Sequence, residues 1–174
     1  LTQTININIL KSLFRATAMS QEWKGFFIVF EGIDGSGKST QVNNLLKTLT
    51  NRKYDVIITR EPSKEGEIGK LISSILYNGD NVPDEALALL FASDRVVHTW
   101  DIILPALKQG KIVISDRYIH SSLAYQSKGM NEPIDINWIK NINRSAIHPD
   151  LVVFLDILPE KAILRLNKGQ KRVQ

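Results

Sequence analysis

The chain has no cysteine, so disulfides and thiolate-held zinc or iron–sulfur centres are excluded in any redox compartment. It also lacks an apolar run approaching the roughly 18 residues of a membrane-spanning helix, and no membrane partner is expected. Acid is missing from the first 18 residues, LTQTININILKSLFRATA, which have neither a starting Met nor an apolar core and so make a poor secretory signal. Two of the four net positive charges, Lys11 and Arg15, fall in that stretch and leave +2 for the remainder, too little to argue for a nucleic-acid partner. Met19 makes a better beginning. Residues 1–18 are therefore read as an N-terminal extension, expected to be disordered. Its hydroxyls, Lys and Arg without acid leave an organelle transit peptide as the alternative to a cytoplasmic location.

With 174 residues, 43% of them hydrophobic, the chain can bury one sizeable core, and residues 19–174 are expected to form one domain. From Gly25 onward the pattern alternates strand and helix, which predicts an α/β fold with a mainly parallel sheet flanked by helices in three layers. Strands are expected at Phe26–Glu31, Tyr54–Arg60, Lys111–Asp116 and Leu151–Asp156. Each is rich in β-branched residues and ends in a charge, as the ligand crevice of such a sheet requires. The four ends should converge. Helices are expected over Ser39–Thr50, over Glu67–Tyr77, and in a long segment from Pro83 and Asp84 whose far end Pro105 interrupts. Shorter ones should cover HSSLAYQ and DINWIKNINRSA, and a last one should begin at Pro159.

The strongest chemical signal is VFEGIDGSGKST, where an apolar strand breaks into glycines and resumes with a lysine and two hydroxyls. Gly32, Gly37, Lys38 and Ser39 fit G-x-x-x-x-G-K-[ST], in which small residues let backbone N–H groups turn around phosphates. A plain Gly-rich turn is the alternative, but the strand before and the helix after supply the context the motif needs. Lys38 would bridge the β- and γ-phosphates and Ser39 would reach Mg²⁺. If the third strand neighbours the first, its ending SDRY brings Asp116 and Arg117 beside the loop, the carboxylate for magnesium or its waters and the guanidinium for a transferring phosphoryl group. A surface ion pair is the other reading. In TREP, Arg60 could grip an acceptor phosphate, with Glu61 a base or merely that arginine's partner. Phe91 and Arg95 share a helix face with His98 a turn further, which offers a stacking platform and a donor, although a core Phe with a solvated Arg is the commoner cause of that spacing. His98, His120 and His148 have no metal-ligand spacing.

Taken together, FEGIDGSGKST, TREP, LLFASDRVVH, IILPAL, VISDRYIHSSLAYQ and HPDLVVFLD, in this order, resemble the thymidylate kinases over Gly25 to about Arg165. The resemblance implies a P-loop NTPase fold and phosphorylation of thymidine monophosphate by ATP, with Mg²⁺, in the route to dTTP. It implies a donor site made of Gly32, Ile33, Asp34, Gly35, Ser36, Gly37, Lys38, Ser39 and Thr40, with Arg165 near adenine. Ser39 and Asp116 would serve the metal. Lys38, Arg117, Asp34 and Arg60 would carry catalysis. Arg60, Phe91, Arg95, Ser122 and Tyr125 would hold the acceptor: Phe91 stacked on thymine, Arg95 at its edge, Ser122 on the base, Tyr125 closing the sugar side. Asp34 would sense the sugar 3′-hydroxyl. Gly35 supplies no cation, so the resemblance assigns that charge to lid residues Lys168, Lys171 and Arg172. The sequence ends at Gln174, and the family pattern implies a domain incomplete at the lid, the final helices and a last strand, which makes nucleotide binding without turnover one expectation for the chain. A homodimer through the long helix is a further one. The rival functions are a deoxynucleoside kinase, in which Glu61 would be the base, another monophosphate specificity, and a regulatory GTPase, whose N-K-x-D pattern NKGQ meets only in part because Gln170 has no carboxylate.

Overall fold

The computed structural model describes residues 23–129 and 132–170, the side chains of 168–170 excepted. The extension 1–18, Met19, Lys171 and Arg172 lie outside the described residues, as does the side chain of Lys168. Four strands form one sheet: β1 (Phe26–Glu31), β2 (Val56–Arg60), β3 (Ile112–Asp116) and β4 (Leu151–Phe154), in the order β2-β3-β1-β4 with every pair parallel. The third strand does neighbour the first. Helix α1 (Lys38–Asn51) follows β1, α2 (Glu67–Asn78) and α3 (Asp84–His98) follow β2, α5 (Ile119–Tyr125) and α6 (Ile136–Ile142) follow β3, and α7 (Pro159–Gln170) follows β4. The long helical segment has an interruption: α3 passes through a π-helical turn at Thr99–Ile103 into α4 (Leu104–Lys108), where Pro105 sits in the first turn, the place where a missing N–H costs least. Pro83, expected in the first turn of α3, is its N-cap instead.

Alternation along β1 divides the core into two layers. Phe26, Ile28 and Phe30 pack with Ile112 and Ile114 against Val42, Leu45 and Leu49 of α1. Phe27 and Val29 face the other way, with Val113, onto Ile103 and Leu107 beneath the long helix and onto Tyr118. All six β1 residues are buried, as a central parallel strand needs. The outer strands are shorter than their apolar runs predict. β2 begins at Val56 and leaves Ile58 40% exposed, and β4 stops at Phe154, which is 65% exposed; among the described residues each has a strand neighbour on one side only. Asp156 thus lies beyond its strand.

Tyr118 stands edge-on to the Phe27 ring, with centroids 5.0 Å apart and planes at 84°, and is fully buried. Burial pushes its phenol from an ordinary 10.0 up to about 12. Between those values the unfolded chain gives up this proton while the folded one keeps it, so the group's contribution is complete below pH 10 and is lost as pH rises towards 12. Melting of the parent chain and Tyr118→Phe across that range should show the parent losing stability relative to the variant as pH rises; a constant difference would remove the assignment.

Candidate active site

The in-register pairing of β3 with both neighbours sets Arg60, Asp116 and Phe30 side by side at the carboxyl edge of the sheet, one residue before Glu31 and two before Gly32. The chain then turns through Gly32, Gly35 and Gly37 at φ of 143°, 78° and 98°, backbone that side-chain-bearing residues rarely adopt. At Gly35 a Cβ would also lie 2.5 Å from the Ala162 carbonyl, since α7 crosses directly over the loop. Arg165 of that helix donates to the carbonyls of Gly35 and Ser36, at 3.4 and 3.2 Å.

Lys38, at the start of α1, folds back to donate to the carbonyls of Gly32 (2.8 Å) and Ile33 (3.1 Å). Its ammonium is held below the ordinary lysine range, first by burial and then by Arg117, while Asp116, Asp34 and Glu31 pull the other way. A polyanion in the loop would oppose the shift. Ser39 donates to Asp116 Oδ2 at 3.0 Å, and Asp116 Oδ1 is buried with no hydrogen-bond partner, as is the Ser36 hydroxyl within the loop. A buried carboxylate oxygen without a donor is costly unless a cation or water meets it, so Ser39 and Asp116 fit a Mg²⁺ that keeps most of its own waters. Among the described residues no cluster of three or more His, Cys, Asp or Glu could hold a metal, which excludes a cage built wholly of such side chains there.

Arg117 follows β3 in a left-handed conformation, φ 75°, fixed by its N–H on the Phe30 carbonyl (2.9 Å) and by the Ser115 hydroxyl donating to its own carbonyl (2.7 Å). The guanidinium then reaches Asp34 at 2.5 Å and Ser121 at 3.0 Å and lies over the Tyr125 ring, 5.3 Å from its centroid. Burial is the largest single influence and works against its charge, but the Asp34 carboxylate and the Tyr125 phenol together outweigh it and hold Arg117 above the ordinary arginine range. Glu31 is the residue beneath this arrangement that sequence reasoning registered only as a charge at a strand end. It is 3% exposed and accepts from Tyr118 N (2.9 Å), Ser121 N (3.1 Å) and the Ser121 hydroxyl (2.7 Å).

A cavity of about 590 Å³ opens beside the loop, walled by Asp34 and Arg117 at one end and by Phe91, Arg95, Ser122 and Tyr125 further in. Arg60 lines it from β2, exposed and with no partner among the described residues, and also lines a second cleft of about 640 Å³ that includes Ser39 and Asp116. The structure therefore brings together the residues singled out in the glycine loop, SDRY, TREP, the long helix and SSLAYQ. Two readings need correction. Arg95 is not solvated: at 2% exposure it is deeper than Phe91, which is half-buried against Ile72, Ile75 and Leu87. Glu61 is not the partner of Arg60 but of Arg95, whose Nε donates to Oε2 at 2.8 Å, and of His98, whose Nδ1 lies 3.3 Å from Oε1. His98 also bonds to the Thr59 hydroxyl, and Arg95 to Asn143 and Ser122. Sequence analysis placed His98 beside Phe91 and Arg95 without seeing its bond to Glu61, and Asn143 carried no reading because it belongs to no motif.

A family model described as thymidylate kinase matches residues 30–174. The chain is 49% identical over 151 residues to a probable thymidylate kinase of Pyrococcus horikoshii, which covers 83% of this chain and 71% of that protein. It is 46% identical to a thymidylate kinase of Halothermothrix orenii over 82% of this chain and 69% of that one. The crystal structure of a thymidylate kinase from Ehrlichia chaffeensis superposes with a TM-score of 0.68 at 34% identity, over 86% of this chain and 82% of the other.

The burial of Glu31 beneath three donors gives a measurable expectation. Glu31→Ala leaves them unpaired and should lower unfolding free energy by about 3 kcal/mol or more in urea titrations. Glu31→Gln, which keeps an acceptor oxygen for the two backbone N–H groups, should cost less. Equal losses would mean that the carboxylate charge, which both variants remove, rather than the unpaired donors sets the cost.

Proposed function

From the premise that the chain belongs to the thymidylate kinase family, so that its reaction is ATP-dependent phosphorylation of thymidine monophosphate, we propose which of its residues do the work. ATP enters the loop from Gly32 to Thr40, where backbone N–H groups and Lys38 face its phosphates. Arg165, which already grips two loop carbonyls, lies on the adenine side. The acceptor occupies the 590 Å³ cavity with its base between Phe91 and the Arg95–Ser122 pair, its sugar against Tyr125 and its phosphate towards Arg60. Arg117 carries this reading: it is bonded to Asp34 of the donor loop and lines the acceptor cavity, so one guanidinium can touch both substrates.

An oxygen of the acceptor phosphate attacks the γ-phosphorus in line. The bond from that phosphorus to the β–γ bridging oxygen breaks and ADP departs. Because the attacking oxygen is already ionised, no general base is needed, which accords with a Glu61 that is buried and bound to Arg95. Catalysis reduces to positioning and to neutralising charge on the equatorial oxygens by Lys38 and Arg117. Mg²⁺, when held by Ser39 and Asp116, would supply further neutralisation of the phosphate oxygens. Asp34 orients Arg117 and is the carboxylate available to a sugar hydroxyl. The assignment of lid charge to Lys168, Lys171 and Arg172 remains part of the proposal. So do a cytoplasmic location and a homodimer. For the dimer, the support is the exposed apolar face of Leu89, Val96 and Trp100 along the long helix. No helix of the described residues is long and apolar enough to cross a membrane.

Arg117→Ala should lower kcat by about a thousandfold or more while changing acceptor KM far less. Phe91→Ala should do the opposite, raising KM for thymidine monophosphate about tenfold or more through the loss of stacking. The reverse pattern in a coupled ADP-release assay would refute both roles. In the same assay thymidine should be inert beside its monophosphate, whereas a nucleoside kinase would prefer it.

A further inference from the structure

Arg95 has five N–H groups, and most of them are spoken for before any ligand arrives. Nε donates to Glu61 Oε2 at 2.8 Å and Nη2 lies 2.6 Å from the same oxygen. Nη2 also donates to Ser122 Oγ at 3.0 Å, and Nη1 donates to Asn143 Oδ1. The three anchors come from three separate elements: the end of β2, α5, and the C-cap of α6. The guanidinium face is closed by the Tyr118 ring, 5.4 Å from its centroid. One Nη1 hydrogen is left over, and Arg95 lines the acceptor cavity.

We propose that Asn143 is a positioning residue that sets base specificity, by occupying one Nη1 hydrogen of Arg95 and fixing the other as a single directed donor into the acceptor cavity. The inference rests on the reading of that cavity as the base site. The orientation of the Asn143 amide is determined by its own partners: Nδ2 donates to the Ile139 carbonyl at 2.8 Å, so Oδ1 has to face the arginine. Asn143 is 4% exposed and Arg95 2%, so neither can exchange these bonds for water. A lone fixed donor matches a pyrimidine carrying a carbonyl at C4, as thymine does. An amino group there, as in cytosine, would set N–H against N–H and leave a buried donor unpaired. An arginine free to swivel would discriminate less.

Equilibrium binding of thymidine monophosphate and deoxycytidine monophosphate to the full chain, measured by calorimetry, tests this. Asn143→Leu, or Asn143→Ala should the former fail to fold, should lower the preference for the thymidine nucleotide by about tenfold. Asn143→Asp keeps the acceptor towards Arg95 and forfeits the donor towards Ile139, so it should melt at a lower temperature yet retain the preference within about threefold. A well-folded Asn143→Leu with the parent's preference overturns the inference, as does an equal loss of affinity for both nucleotides, which a purely structural role would give. Arg95→Lys separates this failure from that of the underlying reading. If the base site is elsewhere, Arg95→Lys also leaves the preference intact. If only the role of Asn143 is wrong, Arg95→Lys abolishes the preference and Asn143→Leu does not.

Discussion

Everything at this site hangs on the parallel, in-register pairing of β3 with β1 and β2. A slip of one residue would turn Asp116 to the opposite face of the sheet and carry Arg117 away from the loop, since side chains alternate with a period of two. The register is fixed by burial on both faces. Phe27, Val29 and Val113 fill one layer, Phe26, Ile28 and Ile114 the other, and neither set can change sides without breaking the packing of both. The apolar strand is thus the ruler that measures out where the polar chemistry begins.

The polar residues beyond that ruler are organised in two tiers. Glu31, Ser121, Asp34 and Tyr125 hold Arg117 at the seam between the glycine loop and the 590 Å³ cavity. Glu61, Asn143 and Ser122 hold Arg95 at the far end of the cavity. A buried pair such as Glu61 and Arg95 gains little net stability, because desolvation of both ions offsets most of their attraction. What it confers is a single orientation, and that orientation is useful where a flat heterocycle has to be read along one edge. Asp94 serves the same end from α3: it accepts from the Ser63 N–H at 2.8 Å and from the Ser63 hydroxyl, and so ties the turn that follows Arg60 to the long helix.

Much of this was legible in the sequence, for definable reasons. The glycine loop announces itself because a phosphate cradle needs small residues at fixed spacing, and SDRY because a strand ending in charge has to end at a crevice. The strand order was not legible in the same way. The run VIIT of β2 reads like a central strand, and only its long-range pairing shows it to be an edge. Arg95 illustrates a deeper limit. Helical periodicity sets it on the face of Phe91, but periodicity cannot say which side of the helix meets water. The answer depends on Glu61, 34 residues earlier, and on Asn143, 48 residues later. Glu61 stands out in TREP but nothing local pairs it with Arg95, and Asn143 belongs to no motif, so a reading by local spacing misses both contacts.

The π-helical turn at Thr99–Ile103 reconciles two obligations of one continuous rod. Arg95, Thr99, Ile103 and Leu107 are all buried, each four residues after the last. In an unbroken α-helix that interval rotates each successive residue by about 40°, so the far end would spiral off the sheet. A single wider turn takes back part of this rotation, as an inserted link corrects the phase of a gear train. The segment that lines the cavity with Phe91 and Arg95 and the segment that roofs the sheet can therefore share an axis.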